Sequence, residues 1–290
     1  MNSICKKNVR ILDWILYGLI YLCAALSVFL IVGIVIYVIW NGFDKVNWEF
    51  LTTTTSVLKG TVGIAGNILN TIYIIILTML LATPIGVGAA IYLNEYAKPG
   101  RLVNVIELAT ETLSGIPSII FGLFGMMFFG ERLRLGYSIL TGTFTLTLMV
   151  LPLITRNTQE ALKTVPNSYR NGAIGLGAGK WYMIRTILIP SALPGVITGV
   201  ILAIGRIVGE SAALLYTAGS GALLPATLQG YFDKIFQSGG TLTIQLYLSM
   251  SKGEYHVAYG IALVLLVIVL SINIITKFAA KKFDVNRLNN

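Results

Sequence analysis

Charge is what this sequence has least of: only 11% of its 290 residues are Asp, Glu, Lys or Arg, against 56% hydrophobic and a positive mean hydropathy. So little polar surface cannot cover a water-soluble globule of this length, and the composition places the chain in a bilayer. Histidine occurs once, as His256, which leaves a catalytic triad or a His-based metal cluster without partners. Cysteine occurs only as Cys5 and Cys23, in or beside the first apolar run, which excludes a disulfide framework and a cysteine metal site. There is no linker rich in Pro, Ser or charge and no internal repeat of fixed period. One membrane domain covering 1–290 is therefore expected.

What is present in quantity is long apolar runs. A spanning helix needs roughly 20 apolar residues, because every backbone polar group in the hydrocarbon must be bonded within its own segment. Six segments meet that demand: Ile11 to Ile39, Ile68 to Leu93, Val105 to Phe129, Ser138 to Ile154, Ile187 to Val208 and Val257 to Ile275. An all-α polytopic membrane protein with six transmembrane helices is the fold class they imply. The first run follows Lys6, Lys7 and Arg10 in the manner of a secretory signal, but it is far longer than an h-region of about 7–15 residues, so it reads as an anchor.

The net charge of +9 does not point to nucleic acid, because the basic residues sit in short clusters beside the apolar segments and not in one stripe. With the amino terminus cytoplasmic, the inner side collects Lys6, Lys7, Arg10, Lys98, Arg101, Arg156, Lys163, Arg170, Lys180, Arg185, Lys277, Lys281, Lys282 and Arg287. The outer side holds only Lys45, Lys59, Arg132, Arg134, Lys234 and Lys252. The positive-inside rule then places both termini in the cytoplasm.

Trp40, Trp48 and the run Thr52 to Thr55 lie in the outer stretch between the first two segments, where Trp is an interfacial anchor. The third segment contains Ser114-Gly115-Ile116-Pro117-Ser118, and a break is expected there because proline removes a backbone donor. Ser211 to Phe232, interrupted by Gly219, Gly221, Pro225 and Gly230, reads as an external re-entrant or interfacial segment. Gly195, Gly199, Gly205 and Gly209 give small-xxx-small spacings that suit tight helix packing, expected against a second subunit.

Few charges fall inside the apolar runs, and each needs a reason. Arginine at the centre of a spanning helix costs roughly 2.5–3.5 kcal/mol on insertion scales, so it normally faces a cavity or a partner. Arg206 and Glu210 are four residues apart at the end of the fifth segment and are expected on one helix face. Two roles are open: lining an anion path, or a structural one in which they neutralise each other or hold a subunit interface. Arg156, four residues before Glu160 at the cytoplasmic end of the fourth segment, reads from the residues alone as an inside-positive flank. Glu107 and Glu111 share a face near the start of the third segment, as a proton or cation site or as wetted interfacial carboxylates.

The longest cytoplasmic loop, between the fourth and fifth segments, runs TRNTQEALKTVPNSYRNGAIGLGAGKWYMIRTILIP. Its Gly175, Gly177 and Gly179 are no nucleotide loop, since no Lys-Ser or Lys-Thr pair follows them and no buried strand precedes them. The loop resembles the EAA loop of type I ATP-binding-cassette permeases, with Asn171, Gly172, Ala173 and Gly177 in the EAA and glycine places and Ile187 and Pro190 closing the pattern. Asn171 stands where glutamate is usual. SGIPSIIFGLFG (Ser114 to Gly125), RNTQEALKTVP (Arg156 to Pro166) and GRIVGESAALLYTAG (Gly205 to Gly219) are similar to the phosphate permeases of the Pst importers, the PstA type in particular. Gln159 and Ala213 depart from the glutamate and proline often found there. The likeness covers most of the chain from about residue 67 onward.

The resemblance implies a type I importer permease fold, with a core at about 67–278 and a cytoplasmic coupling helix within 160–190. It implies a subunit without catalytic activity in the cell membrane of a prokaryote. No cofactor or metal is expected on this chain, with ATP and Mg used by PstB-like ATPase partners. A PstC-like second permease and an external PstS-like phosphate-binding protein would complete the assembly. Arg206, Glu210 and Arg156 are the expected substrate pathway; Asn171, Gly172, Ala173 and Gly177 are the expected ATPase contact. Rivals are a permease for sulfate, molybdate or phosphonate, an ATP-independent secondary transporter using Glu107, Glu111 and Glu210, and a membrane enzyme, for which nucleophile and cofactor signatures are lacking.

Overall fold

The computed structural model describes residues 11–56, 61–98 and 100–282, the side chains of residues 11, 12 and 279–282 excepted. Lys6, Lys7, Arg10, Lys59, Arg287 and Cys5 lie outside the described residues.

The chain is helical almost throughout. Helix α1 (Ile11–Gly42) is apolar on every side and exposed on nearly every side, which is the surface of a helix bathed in lipid. At about 1.5 Å per residue its 32 residues exceed the roughly 30 Å of hydrocarbon. A short α2 (Trp48–Thr52), capped by Asn47 accepting from the Phe50 amide, leads into a two-stranded antiparallel ribbon, β1 (Thr54–Ser56) and β2 (Thr61–Ile64). The threonine run read as an interfacial anchor thus supplies a strand, as β-branched residues favour. Trp40 and Trp48, at this end, are exposed.

Helix α3 (Ala65–Ile91) continues as a π-helical turn through Tyr96. Then come α4 (Arg101–Gly115) and α5 (Ser118–Gly125), the latter extended by a π-helical turn to Arg132. Their axes meet at 104°. Ile116 and Pro117 are extended at the junction, because proline bars its predecessor from helical geometry and donates no hydrogen bond. The expected break is therefore present and is sharper than a kink. Among the described residues five single helices are long and apolar enough to cross a membrane, six if the bent pair is counted as one span.

Helix α6 (Ile139–Lys163) is the centre of the bundle, packed by α3, α5 and α9 (Ile189–Val208). Ile139, Leu146, Val150 and Ile154 on it join Ile74, Ala203 and Leu214 in the main core. Burial on all sides would strand polar side chains, yet α6 is rich in threonine. The hydroxyls of Thr143, Thr145 and Thr147 each donate to the carbonyl four residues earlier, at 2.8 Å, so they are satisfied within the helix itself.

The loop after α6 folds into α7 (Asn167–Gly175) and α8 (Lys180–Met183). Val165, Ala173, Met183, Ile184 and Leu188 form a second core with Ala161 and Leu162, which seats this loop on the end of α6. Past α9, α10 (Ala212–Thr217) is wedged between α5 and α6, with Ala213, Leu214 and Ala218 fully buried. The segment Ser211 to Phe232, expected to be re-entrant or interfacial, is thus divided. Its first third is core, and Leu223, Leu228 and Phe232 towards its end are exposed. Helix α11 (Leu228–Asp233) precedes Lys234, expected as an outer flank but buried, its Nζ donating to the Ser238 carbonyl at 3.3 Å. Burial pushes that ammonium below the usual lysine range. Helix α12 (Leu242–Ser251), not anticipated from the sequence, packs on α13 (Tyr255–Lys282), which also holds α1 through the Tyr37–Tyr259 contact.

The glycine pattern on α9 is used in two ways. Gly195 and Gly199 lie against Ala161 and Asn157 of α6, where a Cβ would meet those side chains at 2.5 and 2.7 Å. Their close packing is within this chain and not against a second subunit, a correction to the expectation. Around Gly205 there is open space.

Candidate functional site

A cavity of about 350 Å³ opens between α4, α6 and α9, lined by Thr110, Glu111 and Ser114, by Met149, Pro152, Leu153, Arg156 and Asn157, and by Arg206. Each wall has a local cause. Helix α4 stops at Gly115, so Ser114 and Glu111 lie in its last turns, beside the break. Arg206 lies in the last turn of α9, where the negative end of the helix dipole favours a cation. Pro152 removes one donor from α6 beside the cavity.

The structure brings Arg206 and Arg156 together on this cavity. It does not bring Glu210 there. Helix α9 ends at Val208, so Glu210 falls beyond the helix and loses the shared face that regular spacing predicts. Its side chain turns inward, where the carboxylate accepts from the Ala213 amide at 3.0 Å and caps α10, while its carbonyl accepts from the Thr243 hydroxyl at 2.8 Å. The Arg206–Glu210 pair is therefore not formed, and Glu210 is a helix cap. Glu160 likewise pairs with Lys163 at 3.0 Å and not with Arg156. Of the two carboxylates on α4, Glu111 lines the cavity and Glu107 does not.

At the far end of α6, α7 is closed by two bonds that define a Schellman stop: the Ala178 amide donates to Ala173 at 3.0 Å and the Gly177 amide to Ile174 at 2.9 Å. That motif needs a left-handed residue, and Gly177 has φ +80°. Asn171 and Gly172 are exposed, Ala173 is buried against the second core, and Tyr169, Ile174 and Leu176 present apolar surface, Leu176 at 91% exposure. An apolar helix face left uncovered beside a rigid stop is a surface suited to a partner.

One feature of this loop was hidden from sequence reasoning. Arg170, counted there as an inside-positive flank, inserts between the loop and the end of α3. Its guanidinium donates to Glu95 at 2.9 Å, to the Val165 carbonyl at 2.7 Å, to the Leu162 carbonyl at 2.9 Å and to Asn167 Oδ1 at 3.3 Å. Lys180 lies 4.8 Å over the Tyr96 ring beside it. Glu95 and Arg170 are 75 residues apart, and no periodicity links them.

Residues 82–285 match the family model described as binding-protein-dependent transport system inner membrane component. The chain is 40% identical over 212 residues to a probable ABC transporter permease protein, YqgI, of Bacillus subtilis, covering 73% of this chain and 72% of that one. It is 32% identical over 210 residues to the phosphate transport system permease protein PstA of Haemophilus influenzae, covering 72% and 74%. The fold matches a chain of a bacterial alginate ABC transporter with a TM-score of 0.69 at 15% identity, over 94% of this chain and 96% of that one. The chain belongs to the binding-protein-dependent inner-membrane permeases, transport subunits that work with an ATPase and a binding protein. Within that family it is of the PstA type.

Proposed function

We propose that this chain carries inorganic phosphate through the cavity between α4, α6 and α9, as one half of a translocation path completed by a second, PstC-like permease. The observation that carries the reading is the placement of Arg156 and Arg206, from different helices, on one cavity within the membrane-spanning bundle. The guanidinium fork matches the oxygens of a tetrahedral oxyanion. The relatives named as phosphate permeases support that cargo.

The exposed face of α7 with Asn171, Gly172 and the Gly177 stop docks a PstB-like ATPase, which binds the ATP and Mg, so this chain needs no cofactor and performs no hydrolysis. A PstS-like protein delivers phosphate on the opposite side. Both termini are then cytoplasmic in a prokaryotic cell membrane, and 1–290 forms one domain.

The test is reconstitution with these partners in vesicles, following ATP-dependent uptake of labelled phosphate with sulfate and molybdate as competitors. Uptake that needs ATP, resists both competitors and collapses in Gly177→Asp supports engine and cargo. ATP-independent uptake overturns the first, and preferential uptake of another oxyanion the second.

A further inference from the structure

The cavity holds an imbalance of hydrogen-bonding chemistry. The Thr110 hydroxyl donates to the Ile106 carbonyl at 2.8 Å, the Ser114 hydroxyl to the Glu111 carbonyl at 2.7 Å, and Asn157 Nδ2 to the Leu153 carbonyl at 2.8 Å. Both hydroxyl hydrogens and one amide hydrogen are thus engaged on their own helices. The strong donors facing the space are the guanidinia of Arg156 and Arg206, and the one charged acceptor is Glu111. The two ion pairs among the described residues lie elsewhere, so Glu111 makes no direct ion pair within 4 Å with either arginine although all three line one cavity. Opposite charges left apart across an open space leave room for a third body between them.

From this we infer that Glu111 is a specificity-determining residue that selects a protonated oxyanion. An occupant satisfying the whole wall must accept from two guanidinia and also donate to a carboxylate. Inorganic phosphate near neutral pH retains at least one P–OH, its second ionisation being comparable to that of phosphate esters near 6. Arsenate shares this chemistry. Sulfate has no proton to give and meets the carboxylate as bare like charge. The P–OH instead forms a short charge-assisted bond to Glu111. A site that hydrogen-bonds a substrate hydroxyl rejects the analogue lacking it, because the acceptor is left unpaired. This inference rests on the cavity being the anion path.

The test uses the assembled transporter, this chain with its sister permease and ATPase, without the external binding protein, whose own selectivity would mask the effect. The line width of the ³¹P resonance of inorganic phosphate reports binding, with arsenate and sulfate as displacing anions. The expected result is that sulfate needs about tenfold more concentration than arsenate, the scale of one hydrogen bond to a charged group. In Glu111→Gln the ratio falls to within about twofold, and Glu111→Asp restores part of it. If Glu111 only balanced the arginines, Glu111→Gln would tighten both anions by one factor and leave the ratio unchanged. That outcome, or equal displacement by sulfate in the unaltered protein, overturns the inference. Broadening that survives in both Arg206→Ala and Arg156→Ala would instead overturn the cavity as the path.

Discussion

Two arginines in this molecule sit in opposite circumstances. Arg170 is enclosed, with four hydrogen-bond partners drawn from the loop that carries it and from the end of α3. Arg206 is exposed on a cavity wall, and its presumptive partner Glu210 is occupied in capping α10. A guanidinium whose donors are all engaged is scaffold. One whose donors are left free in a spanning bundle is there for something that arrives. Sequence alone draws only part of this contrast, since Arg170 looks like a topological flank while Arg206 leaves a path role and a pair with Glu210 both open.

The sharpest way to break this contrast is at the cavity. Arg206→Ala is expected to lower ATP-driven phosphate uptake by about a hundredfold or more, with Arg206→Lys intermediate because a point charge lacks the fork, while the amount of protein in the membrane stays the same. Normal uptake in both variants would place Arg206 outside the path.

Removing one partner of the enclosed pair is expected to act on stability instead. Glu95→Ala or Arg170→Ala leaves the other charge uncompensated, for about 2–4 kcal/mol of local destabilisation. Limited proteolysis of the α7–α8 loop reads this, and the exchange Glu95→Arg with Arg170→Glu should recover part of it. Next in size is the helix stop. Gly177→Val forces a branched residue to φ +80° and costs about 1–3 kcal/mol, whereas Gly177→Asn, which tolerates that region, costs less, a difference visible in thermal unfolding of the assembled complex. The smallest effect belongs to the exposed pair Glu160–Lys163, where Lys163→Ala should change stability by less than about 0.5 kcal/mol and leave uptake unaltered.

These differences follow what a single sequence can and cannot express. The apolar runs and the break at Pro117 were legible because each is dictated by local backbone chemistry, whereas Gly177 was marked by the resemblance of its loop. Arg206 stood out because a charge in hydrocarbon needs a reason, and Arg156 through the family resemblance. Glu210 misled because it lies two residues past the end of α9, where helical spacing no longer sets which face a side chain occupies. The Glu95–Arg170 pair, the seating of α10 in the core and the ribbon after α2 arise from contacts between distant segments, for which periodicity carries no signal.

The threonine ladder of α6 has a consequence for motion. Because the hydroxyls of Thr143, Thr145 and Thr147 are bonded to their own helix, these side chains give the neighbouring helices no polar latch. Any movement of α3, α5 or α9 against this stretch would therefore break no hydrogen bond between helices and only exchange van der Waals contacts. The most buried helix of the bundle is thereby smooth along that stretch, an axle about which the rest can turn.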